Sequence, residues 1–249
     1  MKKLLVILTD PLKVFHEKGE VKRRYYNPGN AFSEVHFISP ASDEIEPEKV
    51  QCLVGDNAKL TIHPVGLLTY YTGVLPFGQL ATLIKNIRPD LIRAYHPGVA
   101  GSLAVLWGKR LEIPSVISIH SDLDDQRRYE KRLIHQARKA LEHYSLRRAT
   151  QVICVSRYLE AYAKKYGAKR VAVIYNRVYT EDFTHDDNCA GLAVHDAGGI
   201  TVLSVGRLVS PKDQECLIRA TQGLNMTLIL IGDGILRASL QHLVDNLNM

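Results

Sequence analysis

Ile200-Thr201-Val202-Leu203-Ser204-Val205-Gly206-Arg207-Leu208-Val209-Ser210-Pro211-Lys212 is the stretch on which the fold turns. Its first six residues are mostly apolar or β-branched and have the length of an ordinary strand. Gly206 lets the backbone turn, and Pro211 marks the opening of a helix expected over 211–222. Toward the C-terminus the unit repeats: an apolar run at 226–231, a glycine turn at Gly232-Asp233-Gly234, and a helix over 235–247. Strand, turn and helix in tandem predict a piece of a parallel, Rossmann-like sheet.

Upstream, residues 181–199 lose periodicity and are dominated by Asp, His, Asn, Gly and Ala, which reads as a linker. Before them the alternation runs through most of the chain. Strands are expected at 4–9, 34–39, 60–65, 91–95, 115–119, 151–155 and 171–175. Helices are expected at 80–87, ended by Arg88-Pro89-Asp90, at 99–109 and at 125–146, and Ser156 is placed to cap one more. The fold class is therefore α/β. A parallel-sheet first domain covers 1–180, the linker 181–199, and the first half of a second Rossmann-like domain 200–249. With two strands only, that second sheet leaves an edge unpaired.

The chain of 249 residues is 46% hydrophobic and 23% charged, an ordinary globular balance with ample apolar material for a core. Its formal net charge of +6 favours anionic partners such as nucleotide phosphates or an acidic membrane surface. Nucleic acid is not expected, because the basic residues are not interleaved with a stacking aromatic platform. Cys52, Cys154, Cys189 and Cys216 form no CxxC pair, which argues against a zinc site and a disulfide framework and fits a reducing, cytoplasmic compartment. Met1-Lys2-Lys3 followed by five apolar residues mimics a secretory leader, but the run stops at Thr9-Asp10-Pro11, which suits a buried first strand better.

In sheets of this class ligands bind at the carboxyl ends of the strands. Arg207 and Lys212 lie across one such strand–loop–helix junction, where two cations and a helix N-terminus suit a diphosphate, with Gly206 allowing close approach. The same pattern also fits a solvated loop with two ordinary surface charges. Gly232 and Gly234 mark a second strand-end turn that is nucleotide-proximal or simply tight-turn chemistry. His120 ends the strand at 115–119 and is the candidate catalytic-side residue; His96, at the end of the preceding strand, is a weaker cleft candidate. For each, a histidine satisfied by local backbone is the competing explanation. The basic face of Arg127, Arg128, Lys131, Arg132, Arg138 and Lys139 is a solvated helix face or, as the runner-up, a contact with anionic lipid or a phosphorylated acceptor.

Several motifs in order carry a family resemblance. Val205-Gly206-Arg207-Leu208-Val209-Ser210-Pro211-Lys212 with Leu217-Ile218-Arg219-Ala220 resembles the signature opening the second domain of family-4 glycosyltransferases of the GT-B fold. Ile229-Leu230-Ile231-Gly232-Asp233-Gly234 resembles that family's next segment. Ile153-Cys154-Val155-Ser156-Arg157, Val173-Ile174-Tyr175-Asn176-Arg177 and Arg88-Pro89-Asp90 fit its first domain. The resemblance implies retaining transfer of a sugar from a nucleotide-diphosphate sugar to a lipid-linked or polysaccharide acceptor, with no catalytic metal and no cofactor. It implies Arg207 and Lys212 on the donor diphosphate, His120 near the transferred sugar, and acceptor docking around residues 19–30. The chain departs from the family at Thr9-Asp10-Pro11, where a glycine-rich turn is usual, and at Arg93 and Tyr95, where histidines are frequent. The family's acidic donor motif would fall beyond residue 249, so a fragment, a truncated frame or one part of a split enzyme is expected. A non-catalytic binding module is the alternative reading.

Overall fold

A computed structural model describes residues 2–75, 77–129, 135–178, 180 and 200–249. The chain divides into two compact units, 1–178 and 179–249. The linker expected at 181–199, the middle of the expected 125–146 helix and the side chains of Arg128, Lys131 and Arg132 lie outside the described residues.

The first unit is built on a seven-stranded sheet. Its strands are β1 (Lys3–Ile7), β2 (Glu34–Ser39), β3 (Lys59–Pro64), β4 (Leu91–Ala94), β5 (Ser115–Ile119), β6 (Gln151–Cys154) and β7 (Val171–Val173). The order across the sheet is β3-β2-β1-β4-β5-β6-β7, and every pairing is parallel. The connecting helices are α1 (Leu12–Glu17), α2 (Pro47–Val50), α3 (Gly66–Tyr71), α4 (Gln79–Ile87), α5 (Val99–Leu111), α6 (Leu123–Tyr129), α7 (His135–Arg148) and α8 (Arg157–Lys165).

Both sheet faces are covered, which is why the strands read as continuous apolar runs. Successive side chains of β1 serve opposite cores. Leu5 and Ile7 pack with Leu80 and Ile84 of α4 and Leu103 and Trp107 of α5, whereas Leu4 and Val6 pack with Phe37, Leu12, Val50 and Leu53. A third cluster joins Ile117 and Val152 to Leu146, Leu159 and Tyr162. Beside it, the carboxylate of Glu142, 2% exposed, accepts hydrogen bonds from Arg127 (2.6 Å) and the Tyr162 hydroxyl (3.0 Å). Arg127 also pairs with Asp124 at 2.7 Å, so this buried charge is fully answered. Ser156 caps α8 as expected, its hydroxyl accepting from the Leu159 amide at 3.3 Å.

The second unit contains β8 (Ile200–Val205) and β9 (Met226–Ile231), paired in parallel, with α9 (Gln214–Thr221) and α10 (Arg237–Asn246). The helix expected from 211 starts later. Ser210–Lys212 forms a separate 3-10 turn, and Asp213, at φ +50°, interrupts the helical path before α9. Asp tolerates the left-handed region better than most residues, which makes this break inexpensive. Among the described residues no helix is long and apolar enough to cross a membrane.

Candidate active site

The strand order of the first unit reverses between β1 and β4: the chain runs outward from β1 to β3, then returns to place β4 on β1's other side. A crevice opens outside the carboxyl ends at such a switch point. A cavity of about 480 Å³ lies there, lined by Asp10 after β1, Tyr95 and His96 after β4, and His120 after β5. The segment expected for acceptor docking closes one wall with Glu20, Lys22, Tyr25 and Tyr26. A neighbouring cavity of about 580 Å³ shares Thr9, Asp10, His96 and Leu123 with the first. Both histidines singled out in the sequence thus line one cavity.

His120 lines the cavity with part of its ring open to solvent. Its ring stacks on Tyr95 with centroids 5.7 Å apart, and Tyr95 lies 5.2 Å from Tyr25. Among the described residues no hydrogen bond engages its ring nitrogens, so the satisfied-by-backbone explanation does not describe it. Partial burial, with the cations of Arg93 and Lys22 nearby, holds its pKa below the ordinary imidazole value, favouring the neutral ring. His96 differs. Its Nδ1 accepts a hydrogen bond from the Gly98 amide at 2.9 Å, which leaves the proton of the neutral ring on Nε2. Burial lowers the pKa of His96 as well, against the opposing pull of Glu142 and Asp10.

Arg93, where the resemblance led to a histidine, stabilises the aromatic wall. Its guanidinium carbon sits 4.4 Å from the Tyr95 ring centroid, and Nη2 donates to the Ser118 hydroxyl at 3.1 Å. Burial raises the Tyr95 and Tyr25 pKa values, so both phenols stay protonated. A phenolic and imidazole wall of this kind offers ring faces for stacking and hydroxyl and ring-nitrogen groups for hydrogen bonding. The N-terminus of α1 is a different matter: Glu44 already accepts from the amides of Leu12 (2.8 Å) and Lys13 (3.0 Å). An anion site there would duplicate a carboxylate the fold supplies itself.

In the second unit, Gly206, Arg207, Lys212, Gly232 and Gly234 gather at the carboxyl ends of β8 and β9. The Gly206 amide donates to Ile231 O at 2.9 Å, and the Leu208 amide to Asp233 O at 2.9 Å, lacing the two turns together. The glycines divide by role. Gly232 sits at φ +154°, and a Cβ there would run into the carbonyl oxygen of Gly206; a Cβ on Gly234 would run into that of Leu208. Close approach of the two turns demands both. A Cβ on Gly206 would meet nothing within 4 Å, so the fold does not require glycine there. Arg207 and Lys212 are exposed, and among the described residues neither side chain has a hydrogen-bond or ion-pair partner. Nor is any group of three or more His, Cys, Asp or Glu placed to hold a metal ion among the described residues.

Residues 32–182, more than half of the chain, match the family described as Glycosyltransferase Family 4. The chain belongs to that family. An uncharacterized glycosyltransferase of Methanocaldococcus jannaschii is 25% identical over 194 residues, covering 76% of this chain and 50% of its own length. The family-4 chain thus spans half the length of that curated relative. Among solved structures it is similar to sucrose-phosphate synthase of Thermosynechococcus elongatus, with TM-score 0.64, 16% identity, all of this chain and 68% of that one. The apo form of the lipopolysaccharide outer core galactosyltransferase WaaB gives TM-score 0.63 and 17% identity over 99% of this chain and 65% of that one. At such identities the likeness is one of fold, and the fold is GT-B.

The sequence had singled out both histidines but not the wall they share. Lys22 and Tyr25 come from the segment 19–30 that the resemblance implied, whereas Asp10 reaches the cavity from a strand end whose place depends on where β1 and β4 meet. For Asp10 the available signal was polar Thr9-Asp10 directly after an apolar strand.

Proposed function

We propose that the chain is the acceptor-side domain and the opening of the donor-side domain of a glycosyltransferase. It moves a sugar, with retention and without a metal or cofactor, from a nucleotide-diphosphate sugar to a lipid-linked or polysaccharide acceptor. The observation that carries this reading is the cavity at the β1/β4 switch point, where His96, His120 and two tyrosines present hydrogen-bonding and stacking groups. The acceptor hydroxyl is read by that wall, with His120 on the reacting side. The donor diphosphate is held by Arg207 and Lys212, whose charges are unanswered among the described residues, suit two phosphate groups and stabilise the leaving diphosphate. The open backbone at Gly206 admits the nucleotide. The cytoplasm is the proposed compartment, supported by Cys52, Cys154 and Cys216 being free thiols.

The test is calorimetric titration of the chain with uridine, guanosine and adenosine diphosphates. Changing Arg207 or Lys212 to Ala should weaken binding of the preferred diphosphate by about tenfold each, the loss of one charge-assisted contact. Added salt should shrink the difference. Undiminished affinity in both variants rejects the donor-site assignment. Binding without turnover on any nucleotide sugar would instead favour a non-catalytic module.

A further inference from the structure

Building on the donor site proposed for Arg207 and Lys212, we infer that Gln214 is a positioning residue that holds Arg207 in the orientation needed to meet a diphosphate. Gln214 opens α9 and is 4% exposed, although its chain neighbours Asp213 and Glu215 face solvent. A buried glutamine calls for partners at both ends of its amide. One end has a partner: Nε2 donates to Arg207 O at 3.0 Å, seven residues back along the chain. Oε1 is buried with no hydrogen-bond partner among the described residues. An apolar side chain of the same length would fill this space without burying an unanswered acceptor, so stability alone does not account for an amide here.

What the amide adds is a grip on one peptide plane. The peptide joining Arg207 to Leu208 is rigid, so holding both of its edges narrows the directions in which the Arg207 side chain can leave it. Its N–H edge is the Leu208 amide, which donates to Asp233 O at 2.9 Å. Its carbonyl edge is Arg207 O, which accepts from the Val209 amide at 3.0 Å and from Gln214. The Val209 bond is local and closes a tight turn that can swing as a unit. Gln214 ties that turn to α9, and among the described residues it is the one side chain of α9 bonded to this loop. Gly206 adds no side-chain restraint on the other side of Arg207, because a Cβ there would meet nothing within 4 Å. Val209 O in turn accepts from the Lys212 amide at 2.9 Å, so the same tie bears on the second cation. An arginine on a fixed backbone has less conformational freedom left to lose when it engages phosphate oxygens.

A double-mutant cycle on the 249-residue chain tests this, read by calorimetric titration with whichever of uridine, guanosine and adenosine diphosphate binds most tightly. Gln214→Met keeps the side chain's length and removes the donor. Arg207 O retains the Val209 amide, so no carbonyl is left bare and the urea midpoint of the second unit is expected not to fall. Affinity for the diphosphate is expected to drop about fivefold, the loss of one hydrogen bond's hold on the loop. Arg207→Ala, expected to cost about tenfold in the native chain, should cost only about twofold in the Gln214→Met background. An equal cost of Arg207→Ala in both backgrounds overturns the assignment. So does an affinity loss that comes with a lower urea midpoint, the mark of a residue that only supports the fold. Both of those outcomes leave the donor site standing. A native chain in which Arg207→Ala costs nothing rejects the donor site itself, and the role of Gln214 with it.

Discussion

At Gly206 and Gly232 one residue type serves two ends. Gly232 is imposed by the fold, because its φ of +154° and the Gly206 carbonyl leave no room for a side chain. Gly206 has open space where a Cβ would stand. Gly232→Ala should therefore lower the stability of the second unit by about 1–3 kcal/mol, the usual cost of forcing atoms into a packed contact. Gly206→Ala should leave stability unchanged and weaken nucleotide diphosphate binding. Urea melts followed on both variants decide it; equal stability losses would make Gly206 as structural as its neighbour. From sequence the two glycines look alike, since both follow apolar strands. What separates them is the approach of one turn to the other, a tertiary fact with no local signature. His120 was legible for the opposite reason: a polar residue ending a five-residue apolar strand must emerge at the sheet's carboxyl edge.

At the level of elements, β2 and β3 carry a pH-sensitive pair. His36 Nδ1 lies 2.9 Å from His63 Nε2, with the rings stacked, and His36 Nε2 lies 3.0 Å from Glu34 Oε1. Burial depresses both histidine pKa values below 6.5; Lys3 and Lys59 push His36 the same way, and His36 does so to His63. Glu34 opposes the shift at His36 without reversing it. Since the folded values lie below the unfolded one, the unfolded chain binds more protons as pH falls through about 6.5. Their contribution to stability is complete above that pH and is lost below it. Urea midpoints should fall between about pH 7.5 and about pH 5.5, and His63→Gln should flatten the slope. An unchanged slope in that variant would remove the pair from the account. The strands themselves were legible: β2, β5, β8 and β9 match the expected bounds because each is an apolar run closed by polar or turn residues. The short α1, α2 and α3 were not, as four to six residues give no helical period and tertiary partners hold them, Glu44 at the start of α1 among these. The start of α9 was misplaced for a related reason. Pro211 signals a helix opening, but Asp213 in the left-handed region makes it a separate turn.

Across the whole molecule the two units differ in what holds them. The first has apolar clusters on both faces of a seven-stranded sheet. The second, among its described residues, buries Leu208, Ile218 and Leu240, while Ile200, Leu203, Val205 and Ile231 of its two strands remain exposed. Burial of apolar area is the main favourable term in folding, so opening the second unit should cost much less than opening the first. Amide hydrogen exchange should show β8, β9 and α9 exchanging at a lower free energy than β1, β4 and β5. Nucleotide diphosphate provides the second arm of the measurement. If Arg207 and Lys212 hold it, saturation at about a hundred times Kd should add about 2.7 kcal/mol to the protection of the second unit, by mass action on its folded form. The local opening energy of β1, β4 and β5 should not change. Equal protection of both units without ligand would contradict the core argument. Ligand-induced protection confined to the first unit would move the diphosphate to the switch-point cavity and leave Arg207 and Lys212 as surface charges.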